Sequence, residues 1–234
     1  MQRTHNALIF SVLCIGLVAS VGCKKEPSDA DKTPVANPAT DTDPAPKVVT
    51  GSTETPTAGV GLASAAGKYK IDSVHSAVNF KIKHMNVSHT LGRFNKVKGG
   101  LNIAADLGAS SVNIEVDAAS VYTADKKRDE HLKGPDFLNT AQFPAIKFAS
   151  KKIVASGDNR YAVTGDLTLH GVTKSVTAEF EHVGSGPNMM DKKIFLTGFT
   201  GTLTLKRTDF GMTNMVGPAG DDIELTIAIE AMRQ

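Results

Sequence analysis

The residues whose type could hold a metal ion are the histidines, of which this chain has seven. Apart from His5, they are His75, His84, His89, His131, His170 and His182. A neutral imidazole is a common zinc ligand, and paired ligands on one element usually follow an HxH or HxxxH spacing. None of these histidines has a partner at either spacing. We therefore predict hydrogen-bonded or turn histidines and no metal site.

A charged cluster, RDEH at 128–131, contains groups that could act as acid and base in catalysis. It lies in the run DKKRDEHLK at 125–133, which lacks β-branched residues and is followed by Gly134-Pro135. This pattern predicts a short helix with a sharp end. The chain has no nucleophile elbow and no glycine-rich phosphate loop beside it. We therefore expect a protein that is not an enzyme and needs no cofactor, with Arg128 and Asp129 attaching the helix to the rest of the domain.

A basic pair, Lys206-Arg207, ends a predicted strand. Arg207 is a candidate contact for an anionic head group, because a guanidinium can donate two hydrogen bonds to a phosphate. A turn pair between Arg207 and Asp209 is the alternative. The formal net charge is only +2, with acids and bases interspersed, so the composition does not favour a nucleic-acid partner.

The elements that position these residues are predicted strands. Between 161 and 180, apolar residues alternate with small or polar ones on both sides of a short connection, HGVT at 170–173, a pattern typical of two antiparallel strands joined by a tight turn. In 93–103 the alternation shifts once, which predicts a bulge near Asn95 or Lys96. The same period predicts strands at 75–84, 93–103, 111–121, 145–154, 161–169, 175–180, 193–207 and 222–231.

The predicted fold is all-β, with the helix between the third and fourth strands. Short connections favour an up-and-down order, and about eight such strands close most readily into an antiparallel barrel that has no exposed edges. A β-sandwich is the structural alternative. A barrel of this size is either filled by side chains or holds one slender ligand.

The first 22 residues are predicted to form a signal peptide, since a short polar start is followed by an apolar run at 7–21 and by small residues. Cys23 resembles the acylated cysteine of a bacterial lipobox, although Ser20 stands where that motif usually has Leu. Cleavage that leaves an ordinary cysteine is the alternative. We expect an exported protein that is lipid-anchored on the periplasmic side of the cell envelope. Lys24 favours the outer membrane over the inner one.

Residues 23–67 are predicted to form a disordered tether, because this segment is rich in Pro, Thr and Ala and lacks aromatic residues. A coil of about 44 residues spans roughly 35 to 40 Å on average. The folded domain is predicted at 68–234.

Four segments of that domain resemble, in order, signature segments of the YceI-like family of bacterial proteins. They are YKIDSVHSAVNFKIKHMNVSHTLGRF at 69–94, KKRDEHLKGPDFLNTAQFPAIKF at 126–148, YAVTGDLTLHGVTKSV at 161–176 and LKRTDFGMTNM at 205–215. The resemblance implies a lipocalin-like barrel whose apolar lumen binds an isoprenoid lipid, such as a polyprenyl phosphate or a quinone-like molecule.

Alternation places a set of apolar residues on the inward face, and the resemblance makes them candidate ligand contacts in the lumen. The set consists of Val78, Phe80, Ile82, Val112, Ile114, Val116, Ile146, Phe148, Val163, Leu167, Leu169, Phe180, Phe199, Ile223, Leu225, Ile227 and Ile229. Gly165 shares this face, and we expect the barrel wall there to be thin enough for a chain to pass. The alternatives to a lipid-binding lumen are a solid-core structural or stress-response protein of the envelope and a non-catalytic quinone carrier for a membrane cytochrome.

Overall fold

The computed structural model describes residues 62–234. The predicted signal peptide at 1–22, the lipidation site Cys23 and most of the predicted tether therefore lie outside the described residues. In the described part of the chain, no helix has the length and apolar composition needed to cross a membrane.

The described residues are mainly β-strands. In chain order the strands are β1 (Gly67–Ile71), β2 (Ala77–His84), β3 (Ser88–Phe94), β4 (Val97–Ile103), β5 (Ser111–Asp117), β6 (Val121–Tyr122), β7 (Ala145–Gly157), β8 (Arg160–Leu169), β9 (Val172–Pro187), β10 (Phe195–Lys206) and β11 (Ala219–Arg233). The helix α1 (Lys126–Lys133) lies between β6 and β7, and short 3-10 helices span Leu62–Ala65, Leu107–Ala109, Ala118–Ser120 and Arg207–Phe210.

The strands form a closed antiparallel barrel. Neighbours pair in the order β1-β4-β5-β7-β8-β9-β10-β11, and β11 pairs back to β1. β2 follows β1 along β11, so these two form one interrupted strand. β3, which lies between β2 and β6, forms the second with β4, and β5 forms the third with β6. The barrel therefore has eight positions, of which the first three each hold an interrupted strand. This confirms the predicted eight-stranded antiparallel barrel with one helix.

Two of the interruptions are hydrogen-bonded to each other. The backbone amide of Asn95 donates to the carbonyl of Ser120 at 3.2 Å, and the amide of Lys96 donates to Ser120 Oγ at 3.1 Å. The predicted bulge at Asn95 or Lys96 is thus a full break between β3 and β4. The predicted strand at 111–121 is likewise broken by a 3-10 helix, and β1 was not predicted because its five residues are too few to establish a period.

The β8–β9 hairpin has the predicted tight turn, but the connection is two residues long and not the four predicted at 170–173. Leu169 pairs with Val172, and the two residues between them, His170 and Gly171, have φ of 51° and 75°. Two consecutive positive φ values are typical of a type I′ turn, whose twist matches that of the strands it joins. Val163, Leu167 and Leu169 are all buried on the inner face.

The helix is attached to the end of β6 through Thr123. The amide and the hydroxyl of Thr123 donate to Asp129 Oδ1 at 2.8 and 2.6 Å, and Arg128 donates from Nε to the Thr123 hydroxyl and from Nη2 to the Thr123 carbonyl, both at 2.7 Å. Asp125 caps the helix by accepting from the amide of Arg128 at 2.7 Å. The predicted helix and the predicted attachment by Arg128 and Asp129 are confirmed.

Candidate functional site

The barrel interior contains two apolar cavities, which we name by the end of the barrel they lie towards. The N-terminal end is where β1 begins, and the helix end is where α1 and the β8–β9 turn lie. The N-terminal-end cavity has a volume of about 60 Å³ and is lined by Leu62, Leu101, Asn102, Ile103, Leu107, Ser110, Ser111, Val112, Ile114, Ile153, Tyr161, Val163, Phe180, Phe199 and Ile229. The helix-end cavity has a volume of about 70 Å³ and is lined by Val78, Ile114, Val116, Ile146, Phe148, Leu167, Ala178, Phe180, Leu203, Leu225 and Ile227.

Ile114 and Phe180 line both cavities and divide one from the other. The ring of Phe180 lies over Gly201, its paired residue on β10. A methyl group on Gly201 would lie 2.6 Å from Cδ1 of that ring, which is closer than carbon atoms approach without contact strain. A ligand that reached from one cavity into the other would have to pass Ile114 and Phe180.

The predicted lumen residues are mostly cavity-lining residues. All of them line one cavity or both except Phe80, Ile82, Leu169 and Ile223. Phe80 packs against Phe94, with ring centroids 5.8 Å apart, while Leu169 and Ile223 belong to a separate apolar cluster at the helix end. The alternation identifies the inward face, but it does not show where that face borders open space.

The structure adds lining residues that were not among the predicted contacts. Leu101, Ile103, Tyr161 and Leu203 lie on strands, and their alternation placed them on the apolar face, so the sequence contained a signal for them. Leu62 and Leu107 lie in or at 3-10 helices at the N-terminal end, and no period of the sequence reveals them.

The expectation of a thin barrel wall at Gly165 is wrong. A side chain at Gly165 would collide with the carbonyl of Ala149 and would lie 2.7 Å from Cζ of Phe148. The strand pairing shifts register between Ser150 and Lys152, directly opposite Gly165. Gly165 therefore makes room for the neighbouring strand and for an aromatic ring, and it does not open a passage.

The rim of the N-terminal-end cavity is polar and uncharged. Asn102, Ser110 and Ser111 line it, and neither cavity is lined by a lysine or an arginine of the described residues. Asn102 donates from Nδ2 to the carbonyl of Ala109 at 3.5 Å, and Ser110 Oγ accepts from the amide of Ala104 at 2.9 Å. Tyr161 lines the same cavity, and burial raises the pKa of its hydroxyl. This rim can offer neutral hydrogen-bonding groups to a ligand.

Arg207 is not available to a head group, which corrects the sequence-based assignment. Its side chain is 2% exposed. The guanidinium donates to the carbonyls of Gly220, Met212 and Asn214 at 2.8, 2.8 and 2.7 Å, and to that of Ala219 at 3.2 Å. Through these hydrogen bonds, Arg207 holds together the connection between β10 and β11.

The alternative pairing of Arg207 with Asp209 is also wrong. The Asp209 carboxylate instead lies 3.3 Å from Nζ of Lys174. Because β9 brings Lys174 to this end of the barrel, the partner of Asp209 comes from a distant part of the chain and not from its own turn.

A buried polar cluster lies beside the N-terminal-end cavity. His182 Nε2 is 2.8 Å from Ser185 Oγ, which donates to Thr197 Oγ1 at 2.7 Å. The His182 ring packs on Phe199, a cavity-lining residue, with centroids 5.1 Å apart. Burial holds the pKa of His182 below its ordinary value, so this histidine is a neutral, hydrogen-bonded core residue.

The structure brings Asp72, His75 and Glu230 together, although their spacing in the sequence gave no sign of it. His75 Nδ1 lies 2.7 Å from Asp72 Oδ2 and 3.6 Å from Glu230 Oε1. The hydrogen bond to Asp72 raises the pKa of His75 and lowers that of Asp72. Their ligand atoms lie within 4.8 Å of one another. The amide of Asp72 also donates to the carbonyl of Glu230 at 2.8 Å, so the group fastens the break between β1 and β2 to β11.

A model of the YceI-like domain matches residues 69–231. The match covers nearly all of the barrel just described, from β1 to β11. The chain belongs to the YceI-like family. Its fold and its ordered sequence motifs thus point to the same group of proteins.

The YceI-like domain has curated relatives over most of its length. A UPF0312 protein of Shewanella sp. (strain W3-18-1) is 36% identical over 178 residues, which cover 75% of this chain and 92% of that protein. A UPF0312 protein of Ectopseudomonas mendocina is 38% identical over 178 residues, with the same coverage of both chains.

Solved structures share the YceI-like fold. BcnA of Burkholderia cenocepacia is 26% identical with a TM-score of 0.62, and the match covers 68% of this chain and 98% of BcnA. A polyisoprenoid-binding domain from Saccharophagus degradans, implicated in plant cell wall breakdown, has a TM-score of 0.55 at 15% identity and covers 71% of this chain and 98% of that domain. At this identity the second likeness shows the fold alone.

Proposed function

We propose that this YceI-like protein binds an isoprenoid lipid in its barrel lumen. The observation that carries the proposal is the pair of apolar cavities inside a closed barrel, both bordered by Ile114 and Phe180. The polyisoprenoid-binding domain from Saccharophagus degradans shares the fold of this chain, and together with the family match that likeness supports the same ligand class here. No reactive group is required, because burial of an apolar chain is itself the binding reaction.

The energetics favour a chain-like apolar ligand. Each buried methylene is worth about 0.8 kcal/mol, so two or three five-carbon isoprene units give on the order of 10 kcal/mol before costs. Association and ordering cost several kcal/mol or more, about 4 to 15 in different treatments. A longer chain therefore binds usefully only if it occupies both cavities, which requires Phe180 to turn away from the dividing position.

We further propose that the polar end of the lipid lies at the N-terminal end and carries no charge. Asn102, Ser110 and Ser111 form the rim there, and they supply neutral donors and acceptors. A phosphate would be left without a cationic partner at these residues, and desolvating an unpaired charge is costly. A quinone-like or hydroxyl head group fits this rim better than a polyprenyl phosphate, and a non-catalytic quinone carrier is one form of the same function.

Anchoring to the cell envelope is a second part of the proposal, and it rests on the sequence at 1–67. Acylation of Cys23 after removal of residues 1–22 would hold the barrel on a membrane, with the remaining segment as a tether. Labelling of cells with a radioactive fatty acid tests this. Label on the parent protein and none on Cys23→Ser supports the anchor, and an unlabelled parent overturns it.

The ligand is tested by purifying the protein from its own membranes and extracting bound lipid for mass spectrometry. The expected result is a stoichiometric isoprenoid with a neutral head group. A barrel that carries none, and that takes up neither a polyprenol nor a quinone from detergent solution, overturns the proposal. Uptake of a polyprenyl phosphate in preference to both neutral lipids overturns the head-group assignment alone.

A structural or stress-response protein with a packed core is the second candidate function. The cavity volumes of about 60 and 70 Å³ favour it, because each is far smaller than the several hundred cubic ångströms of a typical ligand pocket (about 300 to 1,000 Å³). The lipid extraction separates the two candidates, since a packed core has no bound lipid and gains no stability from added lipid.

A further inference from the structure

We infer that the tip of the β9–β10 hairpin docks on an anionic lipid bilayer. The tip is the segment 188–193, NMMDKK, between the end of β9 and the start of β10. Met189 and Met190 are 94% and 95% exposed. Two adjacent large apolar side chains held in water at the end of a hairpin have a free-energy incentive to enter an apolar phase.

The backbone of this tip is held in a defined conformation. Asn188 Oδ1 accepts from the amides of Met190 and Asp191 at 2.7 and 3.2 Å, and Asp191 Oδ1 accepts from the amide of Lys193 at 3.0 Å. The amide of Asn188 donates to the carbonyl of Ile194 at 2.8 Å and closes the loop. The methionines are therefore presented by an ordered turn, so docking does not have to order the backbone first.

The charges of the tip complement an anionic surface. Lys192 and Lys193 follow the methionines, and within residues 62–234 neither forms an ion pair. Asp191 lies between the methionines and the lysines, and its carboxylate accepts a hydrogen bond from the backbone amide of Lys193. Apolar side chains beside lysines match the two forces that hold a peripheral protein on a bilayer, which are insertion at the acyl boundary and attraction to anionic head groups.

The position of the tip connects it with the lumen. The β9–β10 connection lies at the N-terminal end of the barrel, at the same end as the 3-10 helix Leu62–Ala65 and the rim residue Leu107. That end carries the N-terminal-end cavity, and the described part of the chain begins there at Leu62. Docking by the tip would bring this cavity against the bilayer, so a lipid could pass between them without crossing water.

The inference deepens the proposed function, because it names the surface from which the bound lipid would come. It is tested on residues 23–234 carrying Cys23→Ser, which lack both the apolar run at 7–21 and any acyl anchor. Cosedimentation is measured with vesicles of phosphatidylethanolamine and phosphatidylglycerol, and with vesicles of phosphatidylcholine alone. Every variant shares the same N-terminal residues, so their contribution cancels in the comparison.

We expect Met189→Ser with Met190→Ser to weaken vesicle binding by at least about tenfold, which corresponds to about 1.4 kcal/mol, because two large apolar side chains would no longer enter the acyl boundary. Lys192→Gln with Lys193→Gln should weaken binding to the anionic vesicles and reduce its salt dependence. The matched control is Met85→Ser with Met215→Ser, at the helix end, where these side chains are 55% and 46% exposed.

Unchanged vesicle binding in both tip variants overturns the inference. Loss of binding in the Met85 and Met215 control equal to that in the tip variants overturns it as well, because the helix end would then be the docking surface. A tip that captures an envelope protein but no vesicle also overturns it. Uptake of lipid from detergent solution is measured on the same variants. Retained uptake with lost vesicle binding supports the docking role. Absent uptake in the parent rejects the proposed function but does not reject the docking.

Discussion

The ring of Phe180 lies over Gly201 of the neighbouring strand, and it fits there because Gly201 has no side chain. The two residues are paired across β9 and β10, and a methyl group on Gly201 would lie 2.6 and 2.8 Å from Cδ1 and Cζ of the ring. Phe80 and Gly92 repeat this arrangement on β2 and β3. A ring that lies against the sheet takes up less of the barrel interior, so Gly201 influences the width of the lumen beside Phe180.

We expect Gly201→Ala to push the Phe180 ring off β10 and into the lumen. Overpacking of this kind typically costs about 1 to 3 kcal/mol of the free energy of unfolding, and the amount of lipid retained should fall. The control is Gly186→Ala on β9, where a methyl group would meet no atom within 4 Å. Urea denaturation and lipid analysis measure the two effects. Equal losses in both variants would contradict the assigned role of Gly201.

Phe180→Ala should join the two cavities, because Phe180 and Ile114 are the residues that divide them. Without lipid, the free energy of unfolding of the variant should be lower than that of the parent by about 3 to 5 kcal/mol, as is usual when a large aromatic residue is removed from a core. If the lumen binds lipid, an added isoprenoid should restore part of this loss by binding the folded state. Thermal unfolding with and without lipid measures it, and an identical shift for the variant and the parent would count against a dividing role.

Replacement of Arg207 by Met should destabilise the barrel without changing which lipids bind. The variant leaves the carbonyls of Met212, Asn214 and Gly220 without their donor, and each unsatisfied buried group costs about 1 to 3 kcal/mol. Lys206→Gln on the adjacent exposed side chain is the control, and it should change stability little. The ratio of neutral to phosphorylated isoprenoid taken up is the second measurement. A selective loss of the phosphorylated lipid in Arg207→Met would restore the head-group role rejected above.

Stability should fall on acidification through the window below about pH 6.5 because of His182. Burial lowers the folded-state pKa of this histidine from 6.5. Between that lowered pKa and 6.5 the unfolded chain binds the proton and the folded chain does not, so the free energy of unfolding decreases as the pH falls. His182→Gln should flatten this decrease, measured as the unfolding midpoint from pH 8 to pH 5.

His75 supplies the matched comparison, because its pKa is raised by Asp72. Its stabilising contribution is fully present below its unfolded pKa of about 6.5 and is lost as the pH rises through the raised folded value. His75→Gln should therefore make the free energy of unfolding fall more steeply on acidification, because the opposing contribution of His75 is removed. A decrease that persists unchanged in His182→Gln would show that another group is responsible.

Much of the fold could be predicted because its signals are local. The alternation around Val163 and Leu167 places both on the inner face, since successive side chains of a strand point to opposite sides. The type I′ turn at His170-Gly171 and the capped helix that begins after Asp125 are likewise set by neighbouring residues. β1 escaped prediction because it is short and gains its stability from pairing with β4 and β11.

The candidate site was predicted less completely, and Arg207 shows why. A basic residue at a strand end suggests a surface contact, yet the fold buries it among carbonyls from Met212 to Gly220. Glu230 shows the same limit, because closure of the barrel brings it to His75, whose other partner Asp72 lies only three residues away in the chain. Such contacts depend on which distant segments pack together in the folded barrel. Neither the residue types nor their spacing in the sequence indicates this.

The sequence by itself determined the all-β class, the inward face of each strand and the family, since alternation, turn residues and ordered motifs are properties of short segments. Only the tertiary structure decided which inward residues border open space. Phe180 and Gly201 are both inward residues of predicted strands, but the ring covers Gly201 only because the β9–β10 hairpin, with its register shift between Gly198 and Phe199, pairs these two residues. Such packing depends on which residues of two strands are paired, and the register that pairs them is a property of the assembled sheet and not of either strand alone.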